Sequence, residues 1–165
     1  MANCKYSRNE LNPVGKPIKV VEDEKFISLA FSDTAAQKHY TSDDFLKGYL
    51  SCVRVDSVMG IYFDFKIYSA EAYEKYGMIK KGDKIVFTLA SGASVNIPFS
   101  ATFSGNTNLS AEYSEYTTFS HLTREDAETL KSSEIQHVKI FWTKKEEEYK
   151  VVNPRIFINQ IPCVD

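Results

Sequence analysis

Hydrophobic and polar residues alternate with a period of two through much of this chain. The pattern is clearest from Lys81 to Phe99, on both sides of a turn at Ser91-Gly92. Its apolar positions are Ile85, Phe87, Leu89, Val95, Ile97 and Phe99. Strand side chains switch faces at every residue, so these positions line one face of a predicted β-hairpin. An isolated hairpin is marginal in water, so we expect it to pack on the rest of the chain.

A second alternating segment runs from Phe45 to Ser69. Its second half alternates apolar residues with polar or tyrosine residues, which is typical of a strand with one wet face. The apolar set is Ile61, Phe63, Phe65 and Ile67, and the other set is Tyr62, Asp64, Lys66 and Tyr68. We interpret Val58-Met59-Gly60 as the turn between the two halves of the segment.

Shorter apolar runs predict further strands at residues 19–30, interrupted near Glu22, and at residues 112–119 and 135–142. Several polar segments are interpreted as loops or turns because they contain Pro, Gly or runs of charge. These are a lead-in at 3–16, a turn-rich loop at 104–110 and a solvated turn at 144–150. Residues 32–44 fit either a loop or a short frayed helix.

The pattern predicts short helices at about residues 124–131 and 154–161. Thr123 is a suitable N-cap for the first, and the acidic residues after it favour a helix start. Asn153-Pro154 resembles the cap and first position of the second, which we expect Pro162 to end. Residues 70–77 fit two further helical turns. Many strands with few short helices predict a mainly β or α+β fold, an antiparallel β-sandwich-like domain.

Composition supports this interpretation and limits the functions to consider. With 165 residues, the expected organisation is one domain over residues 1–165. Aromatic residues make up 13% of the chain, which favours strands. The net charge of −2 provides no excess of cations for phosphates, so we expect no nucleic-acid partner. The sequence contains no apolar run of about 18 residues, so we expect no transmembrane helix.

The sequence is compatible with two locations of the protein. The first residues contain no signal-peptide core, so the chain as given is expected in the cytoplasm, or in a secreted or envelope setting if a leader has been removed. Cys52, on a predicted strand, is expected to be a small buried hydrophobe. Cys4 and Cys163 lie at the two ends, where a disulfide is an alternative. We expect free thiols, because cytoplasmic proteins rarely keep disulfides.

Motifs for catalysis or metal binding are absent from the sequence. His39, His121 and His137 are far apart and lack metal-ligand spacing, and there is no CxxC, HExxH or GxSxG motif. We therefore assign no catalytic residue, metal ligand or cofactor, and expect a protein that is not an enzyme. Carboxylates such as those of Asp43-Asp44, Asp64 and Glu112 leave a hydrolase as an alternative, if two of them meet in a cleft.

Four tyrosines are the candidate binding residues: Tyr62, Tyr68, Tyr113 and Tyr116. Tyrosine on the outer face of a sheet has two interpretations. It contributes to cross-strand packing, or it marks a recognition surface, since tyrosine is enriched in interfaces. The sequence leaves both interpretations open.

Several short motifs spread over the chain resemble those of a loose group of β-rich bacterial proteins of Bacteroidetes type. They are Cys4-Lys5-Tyr6, Asn9-Glu10, Gly15-Lys16, Lys81-Gly82-Asp83, Ser91-Gly92, residues 122–130 and 135–140, and Cys163. The resemblance implies a β-rich fold with a late helix, and a secreted or envelope location for some members. The group has no established activity, so the resemblance implies no function.

Together these observations favour a non-enzymatic binding or structural module. Its expected partner is a second copy of the chain or another protein, bound through a sheet face or edge. One alternative is a small-ligand carrier whose aromatic residues line a cavity between sheets. The other is the hydrolase with carboxylates in a cleft.

Overall fold

A computed structural model describes residues 3–103, 105–108 and 112–165. The described strands are β1 (Tyr6–Leu11), β2 (Pro17–Val21), β3 (Glu24–Ala30), β4 (Asp44–Val55), β5 (Val58–Ile67), β6 (Lys84–Leu89), β7 (Ser94–Pro98), β8 (Asn106–Asn108), β9 (Tyr113–His121), β10 (Ile135–Phe141) and β11 (Glu146–Val151). The described helices are α1 (Thr34–Gln37), α2 (Ala72–Tyr76), α3 (Arg124–Lys131) and α4 (Ile156–Val164). The described residues are mostly antiparallel strand with four short helices, which confirms the predicted β-rich α+β fold.

The strands form one antiparallel sheet that curls back on itself. Its order is β7-β6-β10-β11-β3-β4-β5-β9-β8, with β2 also pairing with β4 and β1 pairing with β2. Just after β7, the backbone N–H of Ser100 donates a hydrogen bond to the carbonyl of Phe119 in β9, at 2.8 Å. The β7 end of the sheet therefore meets β9 near its other end, and the apolar faces enclose a common core.

Period-two alternation decides which side chains enter this core. The six apolar residues of the predicted hairpin lie in β6, in β7 and directly after β7, and all are at most 3% exposed. At the turn between them, Gly92 has φ 91°, a conformation that favours glycine. Ile61, Phe63, Phe65 and Ile67 of β5 are likewise at most 1% exposed. Burying each such side chain contributes roughly 1.5–3 kcal/mol, which explains why the alternation predicts the faces correctly.

Aromatic rings from different strands meet at the centre of the core. The ring of Phe26 in β3 lies 6.0 Å from that of Phe63, 6.4 Å from Phe65 and 6.2 Å from Phe87, measured between centroids. Phe157 of α4 packs edge-on against Phe87 at 4.9 Å. Ring contacts at these distances are favourable beyond simple burial, so the strands are held together by aromatic packing.

Helix α3 matches its prediction, including the cap: the Thr123 hydroxyl accepts a hydrogen bond from the N–H of Asp126 at 3.1 Å. The second helix differs from its prediction. It begins at Ile156, not at Pro154, and continues past Pro162 to Val164. Pro162 costs the helix one backbone hydrogen bond but does not end it, because the fixed φ of proline is compatible with a helix. The buried residues around it also hold the last turn in place.

Four other predictions of loops and turns are wrong in part. The predicted lead-in contains β1, which pairs with β2, and the predicted solvated turn at 144–150 is largely strand β11. Glu146, Glu148 and Lys150 are exposed, and a run of charged residues is as typical of a turn as of such a strand. The β4–β5 turn is at Asp56-Ser57, before the predicted position. In the predicted loop 104–110, Asn106–Asn108 form β8, while residues 104, 109 and 110 lie outside the described residues.

Cys4 and Cys163 form a disulfide, so the expectation of free thiols is wrong. The fold brings the two ends together: β1 lies beside α4, and the Tyr6 hydroxyl donates a hydrogen bond to the Cys163 carbonyl at 2.8 Å. Cys52 is free and fully buried, as predicted, and burial raises the pKa of its thiol well above the usual range. No helix in the described part of the chain is long and apolar enough to cross a membrane.

Candidate functional site

A cleft of about 500 Å³ opens where the β3–β4 connection faces helix α2. We call it the aromatic cleft and define it by Phe31, Tyr40, Phe45, Tyr68, Tyr76 and Glu147. These residues come from separate segments: the connection itself, β4, the residue after β5, α2 and β11. The cleft is therefore a product of the fold and not of one local motif.

Ring contacts hold the aromatic side of the cleft together. Phe31 and Tyr40 stack with centroids 5.5 Å apart and planes 24° apart. Phe45 packs edge-on against Phe31 at 5.6 Å, and Tyr68 packs edge-on against Tyr40 at 6.3 Å. Such offset and edge-on arrangements are the preferred geometries of aromatic pairs. The result is a continuous apolar wall at the surface.

Local hydrogen bonds fix the connection that carries Phe31 and Tyr40. The carboxylate of Asp33 accepts a hydrogen bond from the N–H of Ala35 at 2.8 Å and caps α1. Beyond the helix, the N–H of Thr41 donates to the carboxylate of Glu112 at 3.1 Å. One contact lies near Phe31 and the other lies next to Tyr40, so together they fix the positions of the two rings.

The opposite side of the cleft is polar. The hydroxyl of Tyr76 donates a hydrogen bond to Oε1 of Glu147 at 2.6 Å, and Nζ of Lys145 lies 2.9 Å from Oε2 of the same carboxylate. Burial, followed by the hydrogen bond with Glu147, raises the pKa of Tyr76 well above its usual range. Tyr76 therefore stays protonated and remains a hydrogen-bond donor.

The structure separates the four predicted tyrosines. Tyr68 lies in the aromatic cleft, and Tyr113 packs edge-on against it with centroids 5.5 Å apart. Tyr62 is 53% exposed elsewhere on the sheet and contacts Phe119. Tyr116 lies in the core, where its hydroxyl donates a hydrogen bond to the carbonyl of Gly77 at 2.7 Å. It is thus not on the outer face that the sequence argument assumed.

Five residues of the cleft were not among the predicted binding residues: Phe31, Tyr40, Phe45, Tyr76 and Glu147. One signal in the sequence points to some of them. Phe31, Tyr40 and Phe45 flank or interrupt the otherwise polar segment 32–44, where aromatic residues have no strand face to pack on. No such signal identifies Tyr76 and Glu147, because they are 71 residues apart in sequence.

The carboxylates considered for a hydrolase have different surroundings. Asp44 lies 3.5 Å from Nζ of Lys25, and Glu112 accepts the hydrogen bond from Thr41. Asp64 lies on β5, where burial, Glu115 and Asp23 raise its pKa to about 6 while Lys66 lowers it. Among the described residues, no group of three or more His, Cys, Asp and Glu side chains is arranged to hold a metal ion.

Comparisons of this chain with protein-family models, with curated proteins and with solved structures find no match.

Proposed function

We propose that this protein is a non-enzymatic binding module that holds a small, neutral, ring-bearing ligand in the aromatic cleft. The observation that carries the proposal is the convergence of four aromatic rings, from three segments, opposite a hydrogen-bonding Tyr76–Glu147 pair. Ligand sites combine mostly apolar walls with a few placed polar groups. The volume of about 500 Å³ lies within the usual range of such sites.

A neutral ligand is favoured because the charges around the cleft pair with one another. Lys145 is paired with Glu147, and Nζ of Lys75 lies 3.5 Å from Oε2 of Glu71. Asp33 is engaged in capping α1. A charged ligand would have to break one of these pairs or remain unpaired, which costs free energy.

A ligand with a ring is favoured because the apolar wall consists of aromatic rings, on which another ring can stack. The faces of Phe31 and Tyr40 are half-buried at the mouth, so a flat apolar group can extend their stack. The polar edge of the same ligand then reaches the carboxylate of Glu147 and the ammonium of Lys145. A sugar ring, with one apolar face and hydroxyls at its edge, has this chemistry, as does a hydroxylated aromatic ring.

The test is a titration with a panel of methyl glycosides and hydroxylated aromatics, followed by amide chemical shifts. We expect saturable shifts at residues of the aromatic cleft for one of these classes. Trp142, the single tryptophan, lies 5.2 Å from Tyr76, so its fluorescence gives a second readout. The substitution Tyr40→Ala removes one stacking ring and is expected to weaken binding about 3- to 10-fold.

The matched control is Tyr62→Ala, which removes an exposed tyrosine outside the cleft and is expected to leave the affinity unchanged. If no compound gives saturable shifts in the cleft, the proposal is wrong. It is also wrong if Tyr62→Ala and Tyr40→Ala weaken binding equally.

A second candidate function, association with a second copy of this chain, is favoured by exposed apolar side chains at two adjacent hairpin tips. Leu11 and Val14 belong to the β1–β2 tip and are 68% and 75% exposed, while Val55 and Val58 at the β4–β5 tip are each 46% exposed. The salt bridge of Lys16 with Asp56, at 2.9 Å, joins the tips. Grouped apolar residues mark interfaces.

Light scattering tests this association. A dimer that Leu11→Ser dissociates supports the second candidate function, and a monomer at high concentration excludes it.

A further inference from the structure

The outer face of β4 and β5 carries a second hollow, of about 350 Å³, beside the β1–β2 hairpin. We call it the sheet hollow and define it by Asp23, Tyr49, Ser51, Tyr62 and Asp64. In the β4–β5 pairing, Tyr49 lies opposite Asp64 and Ser51 lies opposite Tyr62. Residues directly opposite each other in a pair of strands project to the same side, so these four side chains share one face.

Two oxygens in the sheet hollow are buried and have no hydrogen-bond partner among the described residues: Oγ of Ser51 and Oδ1 of Asp64. Ser51 as a whole is only 5% exposed. A buried polar atom without a partner lowers the stability of the folded protein. Both oxygens accept hydrogen bonds, so a ligand that donates to them removes this cost.

The charges around Asp64 favour a cationic donor. Asp23 and Glu115 act on Asp64 as like charges and Lys66 as an opposite charge, with burial the largest influence on its pKa. The ammonium of Lys66 lies over two rings, 5.3 Å from the centroid of Tyr49 and 5.3 Å from that of Tyr113. Two carboxylates and one ammonium therefore act on the carboxylate of Asp64, so a further cation beside it is favoured.

The rings make the site suitable for an ammonium carried on an alkyl chain. Lys66 already shows that the face of Tyr49 accepts an ammonium within this sheet. Tyr62, on the other side of Ser51 and Asp64, is 53% exposed and presents a second ring to a ligand. Aromatic faces attract cations within about 6 Å, and they also pack against methylene groups.

We propose that the sheet hollow binds an alkylammonium group, the chemistry shared by small amines and a lysine side chain. The ammonium pairs with the carboxylate of Asp64 beside the Ser51 hydroxyl. Small rotations of these two side chains let it donate hydrogen bonds to Oδ1 of Asp64 and Oγ of Ser51, and its alkyl chain packs on Tyr62. This site is separate from the aromatic cleft in residues and in ligand charge. The two proposals therefore stand or fall independently.

The experiment is a titration of the full chain with n-butylammonium and, as a neutral probe of the same shape, n-butanol, followed by amide chemical shifts. We expect saturable shifts at residues of the sheet hollow with the amine and none with the alcohol. A tripeptide, acetyl-Ala-Lys-Ala-amide, is the second arm. Tighter binding of the tripeptide than of butylammonium identifies a lysine-bearing chain segment as the source, and equal binding identifies a small amine.

Asp64→Asn is expected to weaken amine binding about 10- to 100-fold, since hydrogen bonds to charged groups contribute about 1.5–3 kcal/mol. Ser51→Ala is expected to weaken it less. The matched control is Asp56→Asn, which removes one exposed carboxylate at the β4–β5 turn and is expected to have no effect. Equal binding of amine and alcohol, unchanged binding by Asp64→Asn, or the absence of saturable shifts would overturn the proposal. A melting curve for each variant confirms that it is folded.

Discussion

The side-chain amide of Gln160 in α4 completes the hydrogen bonding of Cys52 in β4: its Oε1 accepts from the Cys52 backbone N–H at 2.9 Å. Two different strands pair with the same edge of β4. β3 pairs with it up to Leu50 and β2 pairs from Val53 onward, and the N–H of Cys52 falls in the gap. Nε2 of Gln160 also donates to the carboxylate of Glu24 at 3.0 Å. A helix side chain thus bridges the junction between two strands.

Removing this bridge is expected to destabilise the protein. Gln160→Leu leaves the buried N–H of Cys52 without an acceptor, so we expect the free energy of unfolding to fall by about 1–3 kcal/mol. Urea denaturation measures this change. Asn159→Ala, an exposed neighbour on the same helix, is the control and is expected to change stability by less than about 0.5 kcal/mol. Equal effects of the two substitutions would contradict the role of Gln160.

The disulfide between Cys4 and Cys163 closes a loop with a sequence separation of 159 residues. Cross-links of this span restrict the unfolded chain strongly, so we expect Cys163→Ser to lower stability by about 2–5 kcal/mol. Thermal unfolding with and without a reductant measures the loss, and the reductant should not affect the variant. An oxidised protein with the same mass as the reduced protein would contradict the bond.

Asp64 is expected to make stability depend on pH. Its pKa is about 6 in the folded protein, against 3.8 as the ordinary value, mainly because of burial. The unfolded chain therefore releases this proton more easily, and the contribution of Asp64 to stability falls as pH rises from about 4 through 6. Asp64→Asn should therefore raise the melting temperature at pH 8 by a few degrees. This corresponds to a gain of about 1 kcal/mol in the free energy of unfolding, once the pKa shift is discounted for solvent screening.

Near pH 4 the Asp64→Asn variant and the original protein should melt at nearly the same temperature, because the folded carboxyl is then protonated. The control Asp56→Asn removes a carboxylate that pairs with Lys16 at the surface. It should not raise the melting temperature at pH 8. A stabilisation by Asp64→Asn that is the same at pH 4 and pH 8 would show that ionisation is not its cause.

Tyr116 is expected to act in folding and not in binding. Tyr116→Phe removes the hydroxyl that donates to the carbonyl of Gly77 and leaves that buried acceptor unpaired. We expect a loss of about 1–2 kcal/mol in the free energy of unfolding, with the affinity of the aromatic cleft unchanged. Denaturation and ligand titration on one preparation measure both quantities. Weaker ligand binding without a loss of stability would reverse the assignment.

Period two identified the strands that form the core, because alternation follows from strand geometry and needs no distant partner. β5, β6 and β7 were predicted with the correct buried faces for this reason. The same reasoning failed for β1 and β11, where nearly all the side chains are polar or charged and alternation has no hydrophobic contrast. Pairing with β2 and β10 makes them strands, and pairing depends on residues far along the chain.

The polar site residues depend even more on the fold. Asp64 and Tyr62 were recognised as members of an outward-facing set, because their neighbours in β5 alternate clearly. Ser51 had no such signal: its significance comes from lying opposite Tyr62 in the next strand, under a hairpin from the N-terminal end. Tyr76 and Glu147 form their hydrogen bond only once α2 and β11 have come together in the fold. Local sequence determines the face of a strand, whereas contacts between distant segments determine what gathers on that face.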